Sequence, residues 1–308
     1  MNYTLHQLRI FQKVAEYESI TKASDALHLT QPAVSIQLKN FQDQFPFALT
    51  EIVGRRLFLT EFGKEIALTA ERIIDEVNSI THRTMEFGGN LAGRLKIAVV
   101  STGKYVMPYF LSGFIKNNKG VDLIMDVTNK ATVIKNLEKN EVDFALVSVL
   151  PKHFAVDAIE LMENRLYLVS NTTRLHPSID SLKTAPLIFR ENGSATRMAM
   201  ENFLAKKKIM VSKKIELTSN EAVKQAVIAG LGYSIMPLIG IKNELRNGDL
   251  KVSPLKGLPI ITNWNLIWMP SKKFSPVAQA FLNYLNSEKE KIMNAQFKWF
   301  KEYAEEAI

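Results

Sequence analysis

Along the first sixty residues the apolar positions recur with helical spacing. Leu5, Leu8, Phe11, Val14 and Ala15 put one apolar stripe on a helix over residues 4–18. Ser19 is a good N-cap for a second helix, with Ile20, Ala23, Ala26 and Leu27 as its inner stripe. His28 and Leu29 leave only a tight connection before Thr30 caps a third helix. Pro32 falls in that helix's first turn, where its missing N–H costs nothing, and Val34, Leu38 and Phe41 form the inner face. Two helices this short, joined this briefly, bury their stripes only by crossing steeply over Leu5, Phe11 and Val14, so the pattern predicts a helix-turn-helix.

The outer flank of the third helix carries Gln31, Ser35, Gln37 and Lys39. Such groups reach base edges and phosphates when a helix lies in the major groove of DNA; on a helix in water they are solvent-facing filler. With Thr30 and Pro32 at its start, this flank is the candidate DNA-reading surface. The stretch Gly54-Arg-Arg-Leu-Phe-Leu-Thr-Glu-Phe-Gly63 is a basic turn before apolar alternation, a small hairpin wing with Arg55 and Arg56 set against backbone or minor groove. Residues 61–87 read as one helix in which Ile66, Ile73, Ile80 and Phe87 lie seven apart, with Ala70, Val77 and Thr84 between them. That coiled-coil seam needs either a second copy of the chain or a surface of its own. Gly88-Gly89-Asn90 and Gly93 end it, making residues 88–93 a hinge.

From Arg94 the period changes. A β-branched run over 95–100 is followed by a helix over 106–118, a strand over 121–127, a helix over 131–139 and a strand over 144–149, an order that implies a parallel sheet with helices on both faces. A second round has strands near 165–170, 187–190, 215–217 and 233–236 and helices over 195–207 and 221–229. The chain returns through a strand over 264–269 and ends in helices over 276–287 and 289–307. The expected fold class is α+β and multidomain: an all-α winged helix-turn-helix (1–60), a long coiled-coil linker helix with hinge (61–90), and a two-lobed α/β domain (91–308). Lobe I takes about 91–162 and 267–308, and lobe II about 163–266.

Composition trims the function classes. With 308 residues, 46% apolar and 23% charged, the chain is ordinary globular protein. No apolar run approaches the ~20 residues that span a bilayer, and the start lacks the pattern of a secretion signal, so the cytoplasm is expected and a membrane partner is not. Without cysteine there are no disulfides, thiolate metal sites or thiol nucleophiles. The net charge is +8, yet residues 1–60 hold six Lys/Arg against five Asp/Glu, while residues 91–308 hold thirty against twenty. DNA binding at the N-terminus therefore depends on individually placed residues and dimerisation rather than on bulk charge. The C-terminal surplus is either a solvated surface or an attractant for anions. His6, His28, His82, His153 and His176 lack metal-ligand spacing, no Gly-x-x-x-x-Gly-Lys loop occurs, and Gly230-Leu-Gly232 lacks the setting of a dinucleotide fingerprint. No nucleophile has an evident base beside it, so neither an enzyme nor a cofactor is expected.

Two α/β lobes linked by crossing segments leave a cleft at the carboxyl ends of their strands, the usual ligand position in open α/β sheets. Ser101 and Thr102 follow the first strand, Asn129 the second and Ser148 the third. Glu191-Asn-Gly-Ser-Ala-Thr-Arg197 opens a helix, offering free N–H groups around Ser194 and Thr196 and, in Arg197, a partner for carboxylate or phosphate; Asn220 opens another helix in the same manner. Singly, each is an N-cap or turn residue. Their recurrence at matching strand ends marks them as the candidate site for a small anionic molecule.

From Leu5 to Gly63 the chain resembles the winged helix-turn-helix of LysR-type transcriptional regulators. It matches on Leu5, Leu8 and Phe11, on Ser19, Ala23 and Ala26-Leu27, on Gln31-Pro-Ala-Val-Ser35, and on Arg55, Leu59-Thr60 and Gly63. It departs at Ile36, where that family has an arginine after the serine, at Leu49-Thr-Glu-Ile52 in place of Leu-Phe-x-Arg, and at Pro46 in place of glycine. The resemblance implies a homodimer paired through residues 61–87, a dimer of dimers, and an effector domain like a periplasmic solute-binding protein. Two third helices would read successive major-groove segments of double-stranded promoter DNA. Effector closure would then alter DNA bending and recruitment of RNA polymerase. Asn129 together with "FRENGSATRMAMENFL", "SNEAVKQAVIAGLGYSI" and "GLPIITNWNLI" is similar to the regulators of carbon-fixation (Rubisco) operons within that family, whose effectors are phosphorylated sugars and related metabolites. A solute-binding component of a transport system is the alternative, opposed by the 90 N-terminal residues. The tail continues past the usual family end, its Phe297, Trp299, Phe300 and Tyr303 set to pack on a neighbouring subunit or on the chain's own surface.

Overall fold

The computed structural model describes residues 2–54, 56–87, 91–173 and 178–306, and the chain divides into two compact units, Met1–Asn90 and Leu91–Ile308. Arg55, the first half of the hinge stretch (Gly88, Gly89 and Asn90) and His176 lie outside the described residues.

In the first unit α1 (Leu5–Tyr17), α2 (Ile20–Leu27) and α3 (Gln31–Gln42) are each started by a side chain. Thr4 and Gln7 form a reciprocal capping box, Ser19 accepts from the Lys22 N–H, and Thr30 accepts from the Ala33 N–H. Glu18 and His28 end α1 and α2 with left-handed backbone, which allows each helix to stop and the next to begin within two or three residues. Leu8, Ile10, Phe11, Val14, Ala23, Val34, Leu38 and Phe41 make the core, with the Phe11 and Phe41 rings 5.2 Å apart. Two expected core positions are corrected. Leu5 is 43% exposed because the first turn of α1 lies beyond the crossing, and Ile10 takes the inner place. Ala26 is exposed, since only the small pair Ala23 and Ser24 reaches the middle of so short a helix.

The wing is the antiparallel hairpin β1 (Thr50–Val53) and β2 (Arg56–Leu59), running in register from Thr50↔Leu59 to Val53↔Arg56. Thr60 then clamps it to α4 (Glu61–Phe87): its hydroxyl donates to the Ala48 carbonyl at 2.7 Å and accepts from the Gly63 N–H at 2.9 Å. A Cβ at Gly63 would collide with the Leu49 carbonyl oxygen, so this contact requires glycine. The sevenfold seam of α4 is divided. Ala70 and Ile74 are buried and Ile66 and Ile73 half-buried in the unit's own core, while Val77 and Ile80 continue past it.

The second unit runs β3 (Ala92–Val100), α5 (Met107–Asn117), β4 (Gly120–Thr128), α6 (Lys130–Glu138), β5 (Phe144–Val147), β6 (Asp157–Asn171), α7 (Ser181–Thr184), β7 (Pro186–Arg190), α8 (Ala195–Lys206), β8 (Lys213–Leu217), α9 (Asn220–Ile228), β9 (Ser234–Pro237), α10 (Lys242–Asn247), β10 (Leu250–Val252), β11 (Ile260–Trp268), α11 (Pro276–Gln296) and α12 (Lys298–Glu306). Gly93, expected in the hinge, is already inside β3 and paired with Val121. The main sheet has the order β10-β6-β11-β5-β3-β4, with β9 also on β6; a separate parallel pair, β7 and β8, completes lobe II. The sheet is mixed rather than all parallel. β3 runs parallel to β4 and β5, but β6 and β11 lie antiparallel from Ile260↔Leu166 to Trp268↔Asp157. The reason is topological: the chain crosses to lobe II along β6 and comes back along β11, so the two crossings point in opposite directions. β5 pairs with the lobe I end of β11, and β9 and β10 pair with the lobe II end of β6.

The C-terminal break falls at Phe297, not near residue 288, and α11 is one helix of 21 residues. Ser287 turns its hydroxyl back onto the Tyr284 carbonyl and stays helical. The tail packs on the chain itself. Phe297 stacks on Phe110 of lobe I at 5.9 Å, Trp299 lies under the Lys242 ammonium at 4.4 Å, and Tyr303 meets Tyr167 edge-on.

Candidate DNA interface and ligand cleft

On α3 the buried side is Val34, Leu38 and Phe41, and the rest faces out. Thr30, Gln31, Pro32 and Lys39 are exposed, and Ser35 and Gln37 are half-buried on the shoulders. Arg56 is exposed at the start of β2. Ile36, which stands where the resemblance implies an arginine and is not among the candidate contact residues, is 58% exposed on this flank.

In the second unit, residues from both lobes meet. Val100, Ser101, Thr102, Asn129 and Lys130 of lobe I face Arg190, Ser194, Ala195 and Thr196 of lobe II around a void of about 10 Å³ for the centre of a water-sized sphere, room for one water. Two helices begin here. Asn129 caps α6 by accepting from the Thr132 N–H at 3.0 Å, and Ser194 caps α8 by accepting from the Arg197 N–H. The lobes therefore aim two positive helix ends at one point.

Arg190, which was not among the expected residues, is 4% exposed. Its Nε and Nη2 donate to the two oxygens of Glu191 at 2.8 Å each, while Nη1 reaches Asn220 Oδ1 only at 3.4 Å, a long and weak contact. The signal for it was available: it is the last residue of an apolar strand, at the same end as Ser101 and Asn129. Asn220 does not line the void but stands behind Arg190, 2% exposed, its Nδ2 without a hydrogen-bond partner. Lys130 loses its proton more readily than a free lysine because burial, then the neighbouring Lys152, penalises the charge. Arg197 does not line the void but the wider hollow beside it. Its guanidinium donates to Glu201, Glu216 and the Arg190 carbonyl, at 2.8, 2.8 and 3.0 Å, so its charge is already paired within lobe II. Ser148 is buried at the end of β5 and does not line the void. Next to the void a wider hollow of about 420 Å³ shares Lys130 and Ser194 and runs past Ile134, His153 and Arg197.

A second tie joins the lobes through the turn after β3. The Tyr105 hydroxyl donates to Glu221 of α9 at 3.1 Å, and the Lys224 ammonium lies 2.6 Å from both Glu221 and Glu244. The Lys224 hydrogen bond holds the Glu221 carboxyl below its ordinary range. Burial, then the Glu221 charge, pushes the Tyr105 phenol up. Among the described residues no group of three His, Asp or Glu could hold a metal ion, and no helix is long and apolar enough to cross a membrane.

Residues 5–64 match the bacterial regulatory helix-turn-helix protein, lysR family, and residues 88–290 match the LysR substrate binding domain. The chain belongs to the LysR family of transcriptional regulators. Over 302 residues it is 34% identical to the HTH-type transcriptional activator CmpR of Synechocystis, covering 96% of this chain and 99% of that one. The RuBisCO operon transcriptional regulator of Allochromatium vinosum is 35% identical over 295 residues, 94% and 97% of the two chains. The Synechocystis PCC6803 CcmR regulatory domain, solved in complex with 2-PG, has a TM-score of 0.59 at 30% identity, covering 62% of this chain and 95% of that one. CbnR complexed with its target DNA has a TM-score of 0.70 over 92% of this chain and 99% of that one; at 19% identity it shows the shared fold. In this LysR-family protein the first unit is thus the DNA-binding part of a regulator and the second its effector-binding part, and the transport alternative falls away. The stretch from Phe297 to Tyr303, which straps the tail to both lobes, lies beyond the matched 88–290.

Proposed function

We propose that this regulator responds to a small oxyanion, a phosphate ester or carboxylate, held where β3, β4 and β7 end. Arg190 carries the reading: it is a buried guanidinium with a weakly engaged Nη1, facing two helix N-termini and a lysine whose charge is penalised there. An oxyanion would give Nη1 a strong acceptor, relieve Lys130, and accept from Ser101, Thr102 and Thr196. The 2-PG complex of the CcmR domain supports a small ligand in the corresponding domain. Because the void admits about one water, the lobes must part for entry, straining the Tyr105–Glu221 tie and the tail strap. Calorimetric titration of the full chain with phosphorylated and carboxylate metabolites should give saturable binding in one class. Silence in both would sink the proposal.

The unit 1 flank of Gln31, Pro32, Ser35, Gln37 and Lys39, with Arg56 of the wing, is assigned to promoter DNA. Self-association is assigned to the seam of α4, which continues through Val77 and Ile80, and to the edge strand β4, which leaves Leu123, Ile124 and Val127 exposed. Sedimentation of wild type against a Leu123→Lys, Val127→Lys variant tests the second surface: the variant should fall to the smaller assembly.

A further inference from the structure

The centre of the α3 reading face is not polar. At 3.6 residues per turn, the direction opposite Val34, Leu38 and Phe41 belongs to Ile36, with Pro32 one turn before it and Lys39 and Asn40 one turn after. Ser35 and Gln37 sit on the shoulders, half-buried, while Ile36 stands 58% exposed. The unit's core closes without this side chain, so its exposure answers no need of the fold. Pro32 and Ile36 together form an apolar strip along the helix, bordered by Ser35 and Lys39 on one side and by Gln37 and Asn40 on the other.

In a DNA major groove one base-edge group suits a branched aliphatic, the C5-methyl of thymine. A polar border suits the rest of the groove, and a lysine one turn on suits the phosphates beside it. Resting on the DNA-binding reading above, we infer that Ile36 is a specificity residue that packs on a thymine methyl in each half-site of the operator. Discrimination at that base pair is then apolar. It distinguishes thymine from cytosine and from uracil, and it adds nothing to the salt dependence, since no counterion is released by an aliphatic contact.

Sites are first selected by the full-length protein from a random duplex pool, and each thymine is then replaced in turn by deoxyuridine, which deletes one methyl and no hydrogen-bonding group. Burying one methyl is worth about fourfold in Kd. One thymine per half-site should therefore weaken wild-type binding about fourfold when replaced, and the same replacement should leave Ile36→Ala unaffected. Ile36→Ala should keep the wild-type slope of log K against log salt, whereas Lys39→Ala should lose about one unit of slope per half-site, about two in all, and keep its sensitivity to the thymine. Ile36 is exposed, so a wild-type melting temperature is expected for its alanine variant. Selected sites in which no thymine methyl matters, or in which it matters equally to wild type and Ile36→Ala, would overturn the inference and turn Ile36 toward a protein contact. Failure to bind any duplex at low salt would instead overturn the DNA-binding reading, and this inference with it.

Discussion

The two regions of this regulator assigned to anions are built in opposite ways. α3 lays its groups on the outside of a unit whose first sixty residues are nearly neutral, while the cleft of the second unit hides Arg190 and half-buries Lys130 in a domain rich in positive charge. DNA is a large polyanion that stays in water, so a few exposed residues, repeated by symmetry, suffice to hold it. A small oxyanion brings few charges and gives up its own hydration. The proposed site would therefore need donors fixed in advance, and the carboxylate of Glu191 holds Arg190 in place at 2.8 Å. Exposure serves partner size in one region and selectivity in the other.

The harshest way to break that contrast is Phe41→Ala, which removes a fully buried ring that meets Phe11 and Phe45. A loss of roughly 3–5 kcal/mol is expected. Calorimetric melting should show the first unit unfolding early and DNA binding gone, with ligand titration of the second unit unchanged; a parallel loss of ligand binding would mean the regions are not separately built. Next in size is the contrast between arginines. Arg190→Lys, which forfeits the fork geometry, should weaken ligand binding about tenfold or more, while Arg197→Met should change it less than about threefold. The reverse order would place the ligand in the wider hollow rather than at the strand ends. Smaller again, Thr30→Ala removes the α3 cap and should cost about 1 kcal/mol by denaturant unfolding, without altering the salt slope of DNA binding.

The smallest expected effect is on pH. Glu221 is held below its ordinary range by Lys224, so its share of stability is complete above that range and is lost as pH falls through the lowered value. For Lys224, burial works against the charge, but Glu221 and Glu244 outweigh it and the value is raised; its share is complete below the ordinary lysine range and fades as pH rises through the raised value. Because Glu221 is half exposed, Glu221→Gln should flatten the acid limb of the stability curve by only about 0.5 kcal/mol. An unchanged acid limb would show that the tie between Tyr105 and α9 carries no ionic component.

Much of this was legible because its physics is local. Caps at Ser19 and Thr30 depend on a side chain and a backbone N–H three residues away, and the inner face of α3 depends on helical spacing alone; Thr4, expected inside α1, proves to be a cap of the same kind. The run from Ser19 to Phe41, and with it the helix-turn-helix, was therefore determined by the order of residues. The same spacing places Ile36 at the centre of the outward face, where residue order alone marks it only as the residue standing in for an arginine.

What only the tertiary structure decided is long-range. The opposed directions of β6 and β11 follow from the chain crossing between lobes and returning, which no window of sequence contains. Whether an arginine is available or already engaged depends on carboxylates brought in by other strands: Glu216 of β8 neutralises Arg197, while Arg190, seven residues earlier, keeps one weakly engaged nitrogen. The division of the α4 seam has the same origin, since a period of seven specifies that a face will be covered and three-dimensional packing specifies by what. Periodicity and capping act within one or two turns, whereas burial and charge pairing act between segments far apart in the chain. Most elements could thus be read from residue order, though α7, α10, β10 and the break at Phe297 were not, and the engagement of Arg190 and Arg197 by carboxylates was not legible either.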